Sequence, residues 1–339
     1  MMIAAHAPRA LVSQRLLAID RAQGSWKHLA FDALPALLSP GDALVLNDAA
    51  TLPASLFGRS PAGAPLELRL AARESDSLWR VAVLGAGDWS TPTERRGPPP
   101  ALSPGDRLDL DGGLSARVVA ADPRSPHLAL VDFERSPAAL LAALHAVGHP
   151  VQYSYLSRGL RIGETRTPYA RRARAAEMPS AGRALRWSIL LELRRRGVKV
   201  LTLTHAAGLS SIDGGALDLT LPLPEESEIP ERTVQGVLET RRSGGRVVAV
   251  GTTVVRALEG RVADAGALVA GVAKTSLILS PSHQPAVVDG VLTQMHEPGE
   301  SHFELLSAFA PRRLLIAAME AAAGRGYLAH EYGDSALIL

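Results

Sequence analysis

The sequence predicts an α/β protein, a discontinuous domain on a mainly parallel or mixed sheet that is interrupted by a small β-barrel domain. Two patterns carry this expectation. After residue 149, helical and strand segments alternate, as a layered α/β structure requires. Between residues 59 and 135 the chain instead offers short strand candidates with period-two alternation, the texture of a barrel or sandwich. The expected division is 1–58 with 149–339 for the α/β domain, and 59–148 for a barrel-like insert with a closing helix.

Residues 10–57 read as strands with a helical segment near Phe31 to Leu38, followed by "SPGDALVLND", a turn feeding an apolar strand. In the insert, "PLELRLAAR", "LWRVAVLG", "DRLDL", "LSARVVAAD" and "HLALVDFE" are strand candidates separated by Gly, Pro, Asp or Ser. Trp79, Val81 and Val83 share one face, with Arg80 on the other. "SPAALLAALHAVG" supplies a helix with Ser136 as N-cap and Gly148 as stop. There follow a helix over 183–196, the strand "VKVLTLT", a helix over 230–242, the strand "RVVAV", a helix over 253–261 and the strand "AKTSLIL".

The 339 residues are 47% hydrophobic and 21% charged, the balance of a globular protein. No apolar run approaches the roughly 18 residues of a membrane span. The stretch "MMIAAHAPRALVSQR" is too poor in apolar residues for a signal-peptide core, so the expected address is cytoplasmic. There is no cysteine, which excludes disulfides, thiolate metal sites and a Cys nucleophile. Ten His occur without metal spacing, and no metal is expected. "LGAGDWS" lacks the third glycine of a dinucleotide loop, and Pro92 interrupts any helix there, which argues against a standard Rossmann site. A monomer is expected.

Net charge is only +2, yet residues 158–196 hold eleven Arg against three Glu. Nearby stand Tyr153, Tyr155, Tyr169 and Trp187. Arg158, Arg161, Arg171, Arg172 and Arg174 lie in a loop-like stretch without evident acidic neighbours, and Arg beside aromatic rings suits nucleic-acid contact. Arg194 to Arg196 read as a solvated helix face.

In open α/β sheets, ligands gather beyond the carboxyl ends of the strands. Three junctions qualify: "LNDAATLP" (46–53), "THAAGLSS" (204–211) and "GTTVVR" (251–256). A helix start at Gly251, Thr252 and Thr253 offers unpaired N–H groups and partial positive charge to a carboxylate or phosphate, and Arg256 one turn on adds a charged donor. The plainer role is that Thr252 or Thr253 caps the helix, worth about 1 kcal/mol. His205 and His296 each follow an apolar strand, where a His is either a satisfied structural residue or a general base.

Taken together, "RLLAIDRAQGSWKHLAFDALPALLSPGDALVLNDAATLPASLFGR", "PSAG", "RGVKVLTLTH", "GGRVVAVGTTVVRALEG", "LSAFA" and the terminal "YGDSALIL" resemble the S-adenosylmethionine:tRNA ribosyltransferase-isomerase family of queuosine biosynthesis. The resemblance implies an α/β domain interrupted by a β-barrel. It also implies S-adenosylmethionine as a ribosyl-donating co-substrate and tRNA as partner, with no metal or redox cofactor. The aminomethyl-deazaguanine base already in the anticodon attacks the ribosyl part, adenine and methionine leave, and an epoxycyclopentanediol forms. Carried over where residues match, the cleft comprises Asn47, Pro179, Ala181, Gly182, Gly251, Thr252, Thr253, Arg256 and Asp334. His296 is the first choice for proton transfer, with His205 as a second candidate, and Trp187 or a nearby Tyr would face the sulfonium.

The chain also departs from the family pattern. Where the motif reads Pro-Thr-Ala-Gly-Leu-His-Phe, it has Pro179, Ser180, Ala181, Gly182, Arg183, Ala184 and Leu185. The Met-His-x-Glu block becomes "PLPEE", with Glu225 kept and Leu223 in place of His. Two family Arg positions hold Ala50 and Ser55, and Asn-Phe-His-Leu-Pro becomes Gln294, Met295, His296, Glu297, Pro298. These losses raise two other readings: a paralogue acting on a small-molecule acceptor, and a tRNA-binding protein without catalysis.

Overall fold

The structure is a computed structural model and describes residues 2–123, 125–213, 215, 217–218 and 221–339. Runs such as "ALVLN" and "VVAV", apolar at nearly every position, have to be covered on both faces, and they form inner strands of a nine-stranded mixed sheet. Its order is Gly271–Thr275, Glu225–Ile229, Lys199–His205, Ala43–Asn47, Val247–Val250, Gly290–Gln294, Ser335–Ile338, Arg15–Asp20, Ser25–Ala30. The four strands from Lys199–His205 to Gly290–Gln294 are mutually parallel, so their carboxyl ends lie together. Alternate residues feed two cores. Val45, Leu203, Val247, Ala249 and Val291 meet the helices Glu231–Arg242, Thr252–Ala265 and Arg312–Gly324. Leu44, Leu46, Val248, Val250 and Leu292 meet the helix Trp187–Arg195.

The insert is a closed six-stranded antiparallel barrel formed by Ser55–Arg59, Pro65–Arg73, Leu78–Leu84, Arg107–Leu110, Ser115–Ala121 and Leu128–Asp132. Its first strand therefore starts ahead of residue 59. The helix Pro137–Val147 closes it through buried Leu140 and Leu144, although Ser136 makes no side-chain cap bond. The alternation in "PLELRLAAR" also misleads in one respect. Glu67 and Arg69 alternate with apolar residues like a solvent face yet are buried, because Glu67 is paired by Arg69 and Arg96 and hydrogen-bonded by Ser55 at 2.7 Å. Arg69 in turn lies 5.5 Å from the Tyr153 ring, whose hydroxyl bonds Glu177, so a buried polar chain ties the barrel to the α/β layers.

Three further elements differ from expectation. The helix expected over 183–196 begins only at Trp187, after a 3-10 turn at Ser180–Gly182. A Cβ at Gly182 would lie 1.7 Å from the Tyr169 hydroxyl, so the turn is held by a contact only glycine permits. The strand expected over 273–279 is Gly271–Thr275, an antiparallel edge, because the chain leaves the sheet there to bring the Leu277 carbonyl to Arg256. The helix expected over 253–261 runs from Thr252 to Ala265. Among the described residues, no helix is long and apolar enough to cross a membrane.

Asp334, one of the residues expected in the cleft, clamps the two ends of the chain. Its buried carboxylate accepts from Arg9 at 3.0 Å, the Arg15 side chain at 2.8 Å, the Arg15 backbone N–H at 2.8 Å and the Leu328 N–H at 3.0 Å. Asp334→Ala leaves two backbone donors and two guanidinium groups without their carboxylate, and is expected to lower stability in urea unfolding by about 3 kcal/mol. Arg9→Ala, which removes a partly exposed partner, is expected to cost less than about 1 kcal/mol.

Candidate active site

Asn47 ends one of the parallel strands and joins all three expected junctions. Its amide nitrogen donates to the His205 carbonyl at 2.9 Å and approaches the Thr253 hydroxyl at 3.3 Å, while its oxygen accepts from the His205 N–H at 2.9 Å. Gly251, next to Thr252 and Thr253, is the N-cap, at φ 88° and ψ 156°, a region that side-chain-bearing residues avoid. Neither Thr caps the helix, and the Thr253 hydroxyl turns to Asn47 instead. A Cβ at 251 would stand 3.4 Å from the Ala181 methyl, so the Pro179–Gly182 turn borders the helix start. That turn is also bonded to the next strand end, since Gln294 donates to the Ser180 carbonyl at 2.8 Å.

Behind these loops lies a buried ionic cluster. Glu225 bonds Arg256 and sits 2.7 Å from His205 Nε2, and its other oxygen accepts from the Gly208 N–H at 2.6 Å. Burial pushes this carboxyl up, but Arg256 and then His205 overcome that and hold it down to about 2. Arg256 Nε donates to the Leu277 carbonyl at 3.0 Å, and its second terminal nitrogen is buried without a partner, as is His205 Nδ1. Glu225 also borders a cavity of about 140 Å³ between barrel and sheet, lined by Trp79, Leu140, Leu144, Ala176 and Pro224.

His296 stands beyond the adjoining strand. Thr293 Oγ1 lies 3.0 Å from its Nε2 and Glu300 3.4 Å from its Nδ1. Burial raises Glu300, but the bond to His296 and its charge bring it below the ordinary value. The His302 ring stacks on His296 with centroids 4.9 Å apart, and burial, then His296, pulls it down to about 4, so it is neutral at neutral pH. The charges of Glu225 and Arg256 also act on His302. His302, Glu300 and His330, which stacks on Tyr155 at 4.6 Å, were missed in the sequence. The only signal was the density of His and Glu around Pro298 and Gly299. Among the described residues, no group of three or more His, Asp or Glu could hold a metal ion.

Residues 1–338 match the family described as queuosine biosynthesis protein. The chain belongs to that family. Among its relatives, the S-adenosylmethionine:tRNA ribosyltransferase-isomerase of Gloeobacter violaceus is 35% identical, the match covering 96% of this chain and 89% of that protein. The enzyme of the same name from Thermus thermophilus is 33% identical over 96% of this chain and 92% of its own. The crystal structure of an S-adenosylmethionine tRNA ribosyltransferase from Thermotoga maritima superposes with a TM-score of 0.55 at 25% identity, covering 100% of this chain and 96% of that one.

Within this member of the queuosine biosynthesis family, the expected nucleic-acid arginines are not alike. Arg158 and Arg161 pair with Glu164, Arg172 with Glu228 and Arg174 with Glu226, so the expected lack of acidic neighbours is corrected for these four. Glu164 lies within the stretch itself, whereas Glu226 and Glu228 escape a local reading because they lie far along the chain, on the strand Glu225–Ile229. Arg161 is 90% exposed, with Glu164 at 3.6 Å, and Arg171 is exposed. Trp187 stands 57% exposed at the start of its helix, and the aromatic rings beside the histidine cluster are Tyr155 and Tyr332.

Glu331 lies between His330 and Tyr332. One of its oxygens is buried without a partner, and burial raises its carboxyl to about 7. A carboxyl that titrates higher folded than unfolded stabilises fully below its unfolded value, and that contribution is lost as pH rises toward the folded one. Glu331→Gln is therefore expected to gain stability relative to the parent between its ordinary value of 4.5 and about 7, then level off, as urea titrations across pH will show.

Proposed function

We propose that the chain is an S-adenosylmethionine:tRNA ribosyltransferase-isomerase, working where the ends of the parallel strands meet. The supporting observation is the convergence of Asn47, His205, Gly251 and Thr253 above the Glu225–Arg256 pair, with polar atoms of Arg183, Arg256 and Gln294 buried but unpartnered there. Such orphaned donors and acceptors suit a polar ligand with a carboxylate and hydroxyls and are costly without one. The tRNA acceptor is favoured over a small molecule because the relatives above carry tRNA in their names.

In this reading the sulfonium acidifies the adjacent ribose carbon and makes it a target for a base. His296 takes that proton: its side chain is partly accessible, and Glu300 beside Nδ1 stabilises the cation that forms. The stacked His302 stays neutral and does not compete for charge. His205 is wholly buried and committed to Glu225, so it acts as a positioning residue that aligns the Glu225–Arg256 pair and the Gly208 loop. The start of the Thr252–Ala265 helix, with glycine at its N-cap, offers N–H groups to an anionic part of the substrate.

Incubation with S-adenosylmethionine and precursor tRNA is expected to release adenine. His296→Asn should lower that rate by roughly 10²- to 10⁴-fold, the usual share of general acid–base catalysis, while S-adenosylmethionine affinity by calorimetry stays within about threefold. Absence of adenine from the parent enzyme, with the nucleoside still bound, would overturn the reading. For tRNA, replacing both Arg161 and Arg171 by Ala is expected to reduce the slope of log affinity against log salt by about 1 to 2. Replacing Arg172 and Arg174, whose charges are held by Glu228 and Glu226, should change it by less than about half a unit.

A further inference from the structure

Arg183 stands at the apolar position of the Pro-Thr-Ala-Gly-Leu-His-Phe motif, and its neighbour Ala184 replaces the motif His. An arginine there has to find partners inside the protein. Its residue is only 8% exposed, and one terminal nitrogen donates to the Arg9 carbonyl at 2.8 Å. The other terminal nitrogen is buried with no partner. The guanidinium lies 5.1 Å over the Tyr332 ring, and among the described residues no carboxylate pairs with it. Arg9 cannot share an acid with it, because Arg9 is committed to Asp334. A buried cation with no counter-charge is expensive, and an anionic ligand removes the cost.

The same turn carries a complementary feature. The Gln294 amide donates to the Ser180 and Glu331 carbonyls, which orients it, and its oxygen is left buried without a donor. An unpaired cation and an unpaired acceptor bound to one turn match a zwitterionic amino acid better than a phosphate, which offers acceptors but no ammonium.

We propose that Arg183 seats the α-carboxylate at the methionine end of S-adenosylmethionine, with Gln294 Oε1 facing the α-ammonium, a role that rests on the co-substrate assigned above. The seat belongs to the same Pro179–Gly182 turn that borders the helix start at Gly251 through Ala181.

The test is calorimetry of the full chain with two ligands, S-adenosylmethionine and its decarboxylated form, which keeps the sulfonium and the ammonium. The parent is expected to prefer the carboxylated ligand by roughly 10- to 100-fold, the range for a charge-assisted bond. Arg183→Gln and Arg183→Leu should reduce that preference to less than about threefold, with affinity for the decarboxylated ligand unchanged as evidence of an intact site. Equal loss for both ligands, loss for neither, or a loss confined to tRNA affinity would overturn the inference while leaving the proposed function in place. A parent that binds neither ligand would instead sink the proposed function.

Discussion

The arrangement of the whole site depends on one buried carboxylate. Glu225 is removed from water, a cost of several kcal/mol for an unpaired charge, and only its partners make its ionised form tolerable. Those partners come from three places in the chain: His205 at a strand end, Gly208 in the following loop and Arg256 on the first turns of a helix. Arg256 in turn draws the Leu277 carbonyl out of the edge strand. Satisfying one charge therefore fixes the relative position of two strand ends, a loop and a helix start. Asn47 repeats the device with neutral groups, using both ends of its amide to hold His205 and Thr253.

Much of this was legible in the sequence because the signals were local. Period-two alternation located the barrel strands, and the apolar runs located the inner strands of the sheet. Each of the three junctions could be located at a strand end, but their meeting rests on the bonds from Asn47 to His205 and Thr253. Other features depended on tertiary contact. "EESEI" looks too charged for an inner strand, yet Glu225, Ser227 and Ile229 face inward while Glu226 and Glu228 reach out to Arg174 and Arg172. The same strand thus explains a missed element and the quenched part of the arginine cluster. Glu67 and Arg69 show the converse: charges that alternate like a solvent face are buried because Arg96 and Tyr153 cover them.

The motif departures become intelligible once placed. Ala184 fills an apolar cluster with Tyr169 and Ile189, and no proton carrier remains at that position. Ser55, at a family Arg position, bonds Glu67, whose cationic partners are Arg69 and Arg96. Ala50 pairs in a short parallel ladder with Ala173. Charge lost at some motif positions is thus present nearby on other residues, and His296 remains with an acid and a second imidazole beside it. This pattern suits a site re-furnished with different side chains better than one stripped of function.

Hydrogen exchange followed by mass spectrometry, with and without S-adenosylmethionine, tests most directly where the nucleoside sits. The account predicts new protection in the amides of 180–183, 205–208 and 251–256, the segments gathered around Asn47 and Glu225. Protection confined to the cavity under the barrel, around Trp79 and the helix Pro137–Val147, would contradict it.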